Sequence, residues 1–77
     1  MIRWTRDYGW FDTAGILQAE VTEPKKGTIG ARLRTMATQD IEWEQKGFKD
    51  IGAAKRSVAR HINNEGLVAK SDWKQVK

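Results

Sequence analysis

Residues 48–67 contain a start signal, an apolar stripe and a stop signal for a single helix, and no other stretch constrains the fold as strongly. Asp50 is a good N-cap, because its carboxylate can accept a hydrogen bond from a free amide of the first turn. The apolar residues that follow at helical spacing are Ile51, Ala54, Val58 and Ile62. Because these residues share one side of a helix, the pattern predicts a helix with one buried face.

The end and the solvent side of this helix are also marked in the sequence. Gly66 can adopt the left-handed conformation of a C-terminal cap, and Leu67 follows it where a residue often packs back onto the last turn. Arg56 and Arg60 lie on the side away from the stripe. We therefore expect both arginines to be exposed while the stripe packs on a sheet.

The length and composition of the chain limit its core. A chain of 77 residues forms one small domain, and a domain of this size hides only about 60% of the surface that its unfolded chain exposes. With no cysteine and one histidine, the chain has neither disulfides nor a zinc site to reinforce the core. Its stability must come from packing or from self-association. The lack of cysteine and of any long apolar run predicts a cytoplasmic protein without membrane contact.

Three segments ahead of the helix alternate apolar and polar residues with the period of a β-strand. Their inward residues are Leu17, Ala19 and Val21 in the first, Ile29, Ala31 and Leu33 in the second, and Ile41 and Trp43 in the third. Pro24 and Gly27 mark residues 23–27 as the connection between the first two strands. We predict an α+β fold with a three- or four-stranded antiparallel sheet and one C-terminal amphipathic helix packed on one face.

The first twelve residues are rich in large rings, namely Trp4, Tyr8, Trp10 and Phe11. Gly9 interrupts them, which indicates a short strand or two around a turn. Two interpretations are open: the rings fill the core of a small domain, or they form a platform on which nucleic-acid bases stack. The small size of the chain favours the core.

We assign residues 1–67 to the sheet-plus-helix domain and residues 68–77 to a polar tail. The tail either frays in solvent or docks on the sheet through Trp73. Trp4, Trp10 and Trp73 lie towards the ends of the chain, where burial within one chain is hardest to achieve. Rings left exposed there would mark a partner site or a homodimer face.

The positive charge of the chain is concentrated in its second part. The net charge is +4; residues 1–44 contain six basic and seven acidic groups (6 − 7 = −1), and residues 45–77 contain eight and three (8 − 3 = +5). This asymmetry suits an acidic partner, such as nucleic acid or an acidic protein face, although it is equally typical of a solvated surface. The candidate contact residues are Lys25, Lys26, Lys49, Arg56, Arg60, Lys70 and Lys74.

The sequence offers little for catalysis or metal binding. Ser57 and His61 are four residues apart on one side of the helix, but no orienting carboxylate accompanies them. Asp40, Glu42 and Glu44 share one strand and could bind a divalent cation, but cross-strand ion pairs with neighbouring arginines are the more economical interpretation. We predict a protein that is not an enzyme and has no cofactor or metal.

A pattern of short aromatic-rich strands followed by Phe48-Lys49-Asp50-Ile51 and Ala54-Lys55 resembles small accessory proteins of tailed bacteriophages. In outline, residues 14–66 are also similar to the arm-binding domains of phage integrases. The first resemblance implies a factor that docks on a host macromolecule and inhibits it in the host cytoplasm. The second implies DNA binding through the sheet, from which the acidic residues of this sheet depart. Neither resemblance transfers a functional residue.

From these observations we predict a small non-enzymatic binding module, a phage-type accessory factor that docks on and modulates a host macromolecule. The alternative is a nucleic-acid-binding domain that uses the basic helix face and the C-terminal tail. The partner is a host protein or nucleic acid, no membrane is involved, and a homodimer is compatible with the sequence.

Overall fold

The computed structural model describes residues 2–76, which form one antiparallel sheet and one helix. The strands are β1 (Ile2–Gly9), β2 (Leu17–Lys25), β3 (Thr28–Thr35), β4 (Ile41–Phe48), β5 (Val68–Ala69) and β6 (Lys74–Val76), and the helix is α1 (Ile51–Glu65). The α+β class, the antiparallel sheet and the helix packed on one face are as predicted. No helix within the described residues is long and apolar enough to cross a membrane.

The sheet has more strands than the three or four that we predicted, since residues 2–76 form six. The strand order is β4-β3-β2-β1-β5, and β6 also pairs with β1. Both short strands lie along the same edge of β1: Val68 is opposite Gly9 at one end, and Val76 is opposite Arg3 at the other. We call residues 68–76 the strap. Because the strap pairs with a strand roughly sixty to seventy residues earlier in the chain, its local pattern gave no strand signal.

The helix boundaries follow the predicted caps. Asp50 has an extended backbone, and its carboxylate accepts a hydrogen bond from the amide of Ala53 at 2.6 Å. At the other end Gly66 adopts a left-handed φ of 75°. The amides of Gly66 and Leu67 donate to the carbonyls of Asn63 and Ile62, so two of the carbonyls that the helix end leaves free are satisfied.

The core lies between α1 and the middle of the sheet. Its fully buried helix residues are Ala54, Val58 and Ile62, as predicted, while Arg56 and Arg60 are exposed. The sheet contributes Ala19, Val21, Ile29, Ala31 and Leu33, with Tyr8 and Leu67 at the margin. Trp4, Trp43, Phe48 and Trp73 are partly buried against this cluster. The aromatic residues therefore divide between the edge of the core and the surface.

Two expectations about individual strand residues were wrong, and β-bulges explain both. Pro24 is not in a loop but inside β2, at a register shift between Thr22 and Lys25, where a missing amide donor does no harm. Ile41 does not point inwards with Trp43; a register shift places it opposite Arg34 on the other face, and it is exposed. An extra residue reverses the facing of all residues beyond it.

Candidate binding surfaces

The sheet face that α1 leaves open is crossed by a row of ion pairs, so its carboxylates are already engaged. Glu20 is buried and pairs with both Arg3 and Arg32, and Arg32 also reaches Glu44 at 3.5 Å. These four residues lie on β1, β2, β3 and β4 in turn, so the row runs across four neighbouring strands. The cross-strand interpretation is confirmed for Glu44. Both carboxylates of this row are therefore engaged by arginines.

Asp40 and Glu42, the other two acidic residues of that group, are bound by threonines instead. The hydroxyl of Thr38 donates to Asp40 at 3.0 Å, and that of Thr35 donates to Glu42 at 2.8 Å. Within residues 2–76, no three acidic or histidine side chains are placed to share a metal ion.

Two of the predicted basic residues lie at the tip of the β2–β3 hairpin, and a third lies at the same end of the sheet. Lys25 and Lys26 form the tip, and Lys49 follows Phe48, which pairs with Ile29 near the start of β3. A fourth lysine that we had not selected, Lys46, lies opposite Gly30 and lines a groove of about 550 Å³ together with Lys25. We call these four lysines the hairpin end.

Two acidic residues near the hairpin end accept hydrogen bonds from backbone amides. Glu23 accepts a hydrogen bond from the amide of Gly27 at 2.9 Å, and Asp50 caps the helix. The lysines of this end therefore have no salt bridge among the described residues.

The remaining predicted residues are not brought together. Arg56 and Arg60 lie on the solvent side of α1, about 40° apart around the helix axis. The ammonium of Lys70 donates to the carbonyl of Phe11 at 3.3 Å, at the sheet end opposite the hairpin. Lys74 pairs with Thr5, so it belongs to the face that carries the ion pairs, away from the helix. The helix face and the tail thus do not form one basic surface.

Exposed apolar side chains gather at the end of the sheet where β1 and β3 finish. Phe11 is 90% exposed and Trp10 is 45% exposed, both in the loop after β1. Val68 and Met36 are exposed at the start of β5 and just after β3. We call these four residues the aromatic end. The sequence favoured a core position for Phe11, but Phe11 lies two residues beyond Gly9, where β1 ends.

The loop that displays these rings is held by specific hydrogen bonds. The amide of Trp10 donates to the hydroxyl of Thr13 at 2.9 Å, and the amide of Thr13 returns a bond to the carbonyl of Trp10 at 3.1 Å. The amides of Ile16 and Met36 donate to the carbonyls of Tyr8 and Ile16, which ties the loop to β1 and to the neighbouring connection. The backbone of the loop is therefore anchored while the ring of Phe11 faces solvent.

A second cluster, which the sequence did not reveal, lies between α1, β1 and the strap. Trp4 and Arg6 share the helix-facing side of β1, because they pair with the buried Val21 and Ala19. The ammonium of Lys55 lies 3.6 Å from the centroid of the Trp4 ring and 5.4 Å from that of Trp73. We call these four residues, Trp4, Arg6, Lys55 and Trp73, the cation–aromatic seam.

Arg6 links the seam to the strap and to Tyr8. Its Nε donates to the carbonyl of Ser71 at 2.8 Å, and its guanidinium carbon lies 5.6 Å from the centroid of the Tyr8 ring. Burial, followed by the nearby positive charge of Arg6, lowers the pKa of Lys55. Burial raises the pKa of Tyr8 against the opposing effect of Arg6. The alternation of Trp4, Arg6 and Tyr8 was the one signal in the sequence that could have indicated this side of β1.

His61, the histidine of the possible Ser57–His61 catalytic pair, packs against another ring. The ring of His61 stacks on Trp43, and no hydrogen bond within residues 2–76 joins it to Ser57. A comparison with known proteins found no match, either to a protein-family model, to a curated protein or to a solved structure.

Proposed function

We propose that this chain is a small non-enzymatic binding module that docks on a protein partner through its aromatic end. The observation that supports this most is the exposure of Phe11, a large ring that is 90% exposed. Aromatic side chains at the centre of protein interfaces contribute a large share of the binding free energy. Large exposed apolar residues that gather at one end of a small domain are typical of such an interface.

The anchoring of the loop supports docking rather than simple disorder. The hydrogen bonds of Thr13 and Lys70 fix the backbone on both sides of Phe11 before any partner arrives. A preorganised loop loses little conformational entropy on binding, so more of the contact energy appears as affinity. Lys70 at the rim adds a positive charge that would suit an acidic border on the partner.

The resemblance to bacteriophage accessory proteins extends this proposal to the kind of partner. A phage-type accessory factor would use the aromatic end to cover a functional surface of a host protein and so inhibit or redirect it. The described residues offer a scaffold and an exposed anchor for this role, and the partner would be met in the host cytoplasm.

Competition binding tests the proposal. Immobilised wild-type chain is used to capture protein from a host lysate, and untagged wild type, Phe11→Ser or Ile2→Ser is added as competitor. Ile2 is also an exposed apolar residue, but it lies at the opposite end of the sheet, so Ile2→Ser is a matched control. We expect wild type and Ile2→Ser to displace the captured protein and Phe11→Ser to fail.

Equal displacement by the two variants would overturn the proposal. Both positions are exposed, so each variant should keep its stability within about 0.5 kcal/mol, and thermal melts check this. Light scattering across a concentration series tests whether the aromatic end binds a second copy of the chain. If wild type is a dimer and Phe11→Ser a monomer of 8.8 kDa, the aromatic end binds a second copy and not a foreign protein.

A nucleic-acid-binding domain is the second candidate, and the hairpin end is the observation that favours it. Four lysines gather at this end of the sheet, and two of them, Lys25 and Lys46, line one groove. The carboxylates of Glu23 and Asp50 are engaged by backbone amides. Phosphate contacts of this kind give binding that weakens steeply with salt. A mobility-shift assay at low and moderate salt, with Lys25→Gln/Lys26→Gln as variant and Lys70→Gln as control, tests this candidate. Absence of binding at low salt would remove it.

A further inference from the structure

We propose that Arg6 and Lys55 form a binding site for a phosphate group, either inorganic phosphate or a phosphate monoester, with the hydroxyl of Tyr8 as an additional donor. The site lies in the cation–aromatic seam and shares no residue with the aromatic end or the hairpin end. The inference is therefore independent of the proposed function.

The first observation is a pair of cations without a counter-ion. Arg6 and Lys55 come from β1 and α1, and both lie next to the strap: Arg6 donates to the carbonyl of Ser71, and Lys55 lies 5.4 Å from the ring of Trp73. Neither is in a salt bridge within residues 2–76. The nearest acidic residue along β1, Asp7, lies on the other face and binds Gln18 at 3.4 Å. Bringing two like charges together costs free energy. An anion between them would remove this cost.

The second observation is an unpartnered hydroxyl next to these cations. Tyr8 is only 2% exposed, and its buried hydroxyl has no acceptor for its proton. The side chain of Arg6, the nearby polar group that affects the pKa of Tyr8, can only donate hydrogen bonds. A buried polar group of this kind normally has a partner, and leaving it unpaired destabilises the fold. Tyr8 lies two residues from Arg6 on the same side of β1, and the two side chains are in contact range. A ligand oxygen held by Arg6 would give the hydroxyl an acceptor.

The lowered pKa of Lys55 fits the same arrangement. Part of this lowering comes from the positive charge of Arg6, so the two cations are close enough to interact. A bound anion would favour the charged form of Lys55 and raise its pKa towards the ordinary value.

The chemistry of the donors selects phosphate among anions. An arginine supplies several N–H donors in one plane and a lysine supplies a compact positive charge, and both are common in phosphate sites. The two uncompensated charges match the roughly −1.5 to −2 charge of a phosphate monoester near neutral pH. A carboxylate, with one negative charge, would leave one cation unneutralised.

NMR spectroscopy of the four tryptophan indoles provides a test with an internal control. Sodium phosphate is titrated into the ¹⁵N-labelled chain at constant ionic strength, with sodium chloride as the balancing salt. We expect saturable shifts of the indole N–H signals of Trp4 and Trp73, which flank Lys55. The signals of Trp10 and Trp43, which lie outside the seam, should stay in place.

Variants separate a phosphate site from a purely structural cation–aromatic contact. Lys55→Gln should weaken phosphate binding about tenfold or more, since a charged hydrogen bond is lost, while Lys55→Arg should retain most of it. Arg56→Gln removes one charge from the same helix on its solvent side and should bind like wild type. If Lys55→Gln does not fold, Tyr8→Phe serves instead, with weaker binding expected and no loss of thermal stability.

Adenosine monophosphate and adenosine distinguish the sources of the phosphate group. Equal affinity for the nucleotide and for inorganic phosphate would assign the site to the free ion, and tighter binding of the nucleotide would assign it to a monoester. Adenosine alone should not shift the Trp4 and Trp73 signals. The proposal would be overturned by the absence of saturable shifts with both phosphates, or by equal binding to wild type and Lys55→Gln.

Discussion

The imidazole of His61 stacks on the indole of Trp43, with 4.9 Å between ring centroids and 18° between the ring planes. Trp43 belongs to β4, the strand at the edge of the sheet, whose only strand neighbour within residues 2–76 is β3. His61 lies on α1 beside the buried stripe. The stacked pair therefore joins the helix to the edge strand.

Removing this stack should destabilise the edge of the sheet. His61→Ala is expected to lower the free energy of unfolding by roughly 0.5–1.5 kcal/mol, the range typical of aromatic pairs. His61→Phe keeps a ring in the same place and should melt close to wild type. Thermal melts of both variants give the comparison, and equal losses would show that the stack itself contributes nothing.

The orientation of α1 predicts opposite outcomes for two of its residues. Val58 is fully buried, so Val58→Asp places an unpaired charge in a small core and should unfold or severely weaken the domain. Arg60 is exposed, so Arg60→Ala should change stability by no more than about 0.5 kcal/mol. Circular dichroism melts measure both. A greater loss in Arg60→Ala would contradict the packing of the helix.

Glu20 should contribute more to stability than any other carboxylate of the open sheet face. It lies between Arg3 and Arg32 with only 10% of its side chain exposed, so Glu20→Gln leaves two arginines without their shared partner. We expect a loss of about 1–3 kcal/mol. Glu44→Gln removes a more exposed charge from the same row and is the control, with little change expected. Chemical denaturation measures the free energy of unfolding of both variants. Equal slopes of this free energy against denaturant concentration allow the two losses to be compared directly.

Tyr8 should make stability fall at alkaline pH. Burial raises its pKa above the ordinary value of 10.0, so above pH 10 the unfolded chain releases a proton that the folded chain retains, and stability declines. Tyr8→Phe removes this decline. It also removes an unpartnered buried hydroxyl, so its stability at pH 7 should equal or exceed that of wild type.

The measurement is the difference in stability between wild type and Tyr8→Phe from pH 8 upwards. Lys55 has a lowered pKa and gives the opposite slope below its ordinary value of 10.5, because there the unfolded chain holds the extra proton. This contribution is present in both proteins and cancels in the difference. Tyr8 is the sole tyrosine of the chain, so tyrosinate absorbance reports its ionisation directly. A constant difference between the proteins would contradict the prediction.

The helix could be predicted to within a residue because its signals are local. Asp50, Gly66 and the apolar stripe act through neighbours three or four residues away, and β3 likewise follows a regular alternation. The bulges at Pro24 and Ile41 could not be predicted, because a single extra residue changes the facing of a strand without changing its composition. The two strap strands were missed because their pairing with β1 depends on distant residues.

The same reason limits the prediction of binding surfaces. The lysines at the hairpin tip could be identified from the sequence. The fold places the rest of the predicted basic residues on both faces and at both ends of the sheet. Lys55, Trp4 and Trp73 come from a helix, a strand and the strap, and only the crossing of α1 over the sheet brings them together. Phe11 is exposed because its loop turns away from the sheet, which depends on the hydrogen bonds of Thr13.

The strap also affects how the sheet is assembled. Most strand pairings of the sheet close short hairpins. The contact between Arg6 and Ser71, however, joins residues 65 positions apart. The entropic cost of closing a loop grows with its length. The helix reduces that cost. A 15-residue helix is about 22 Å long, so once packed it carries the chain back along the sheet and leaves Val68 beside Gly9. Only residues 66–67 then separate α1 from β5, so we expect the pairing of β5 with β1 to form as a local step after the helix has docked.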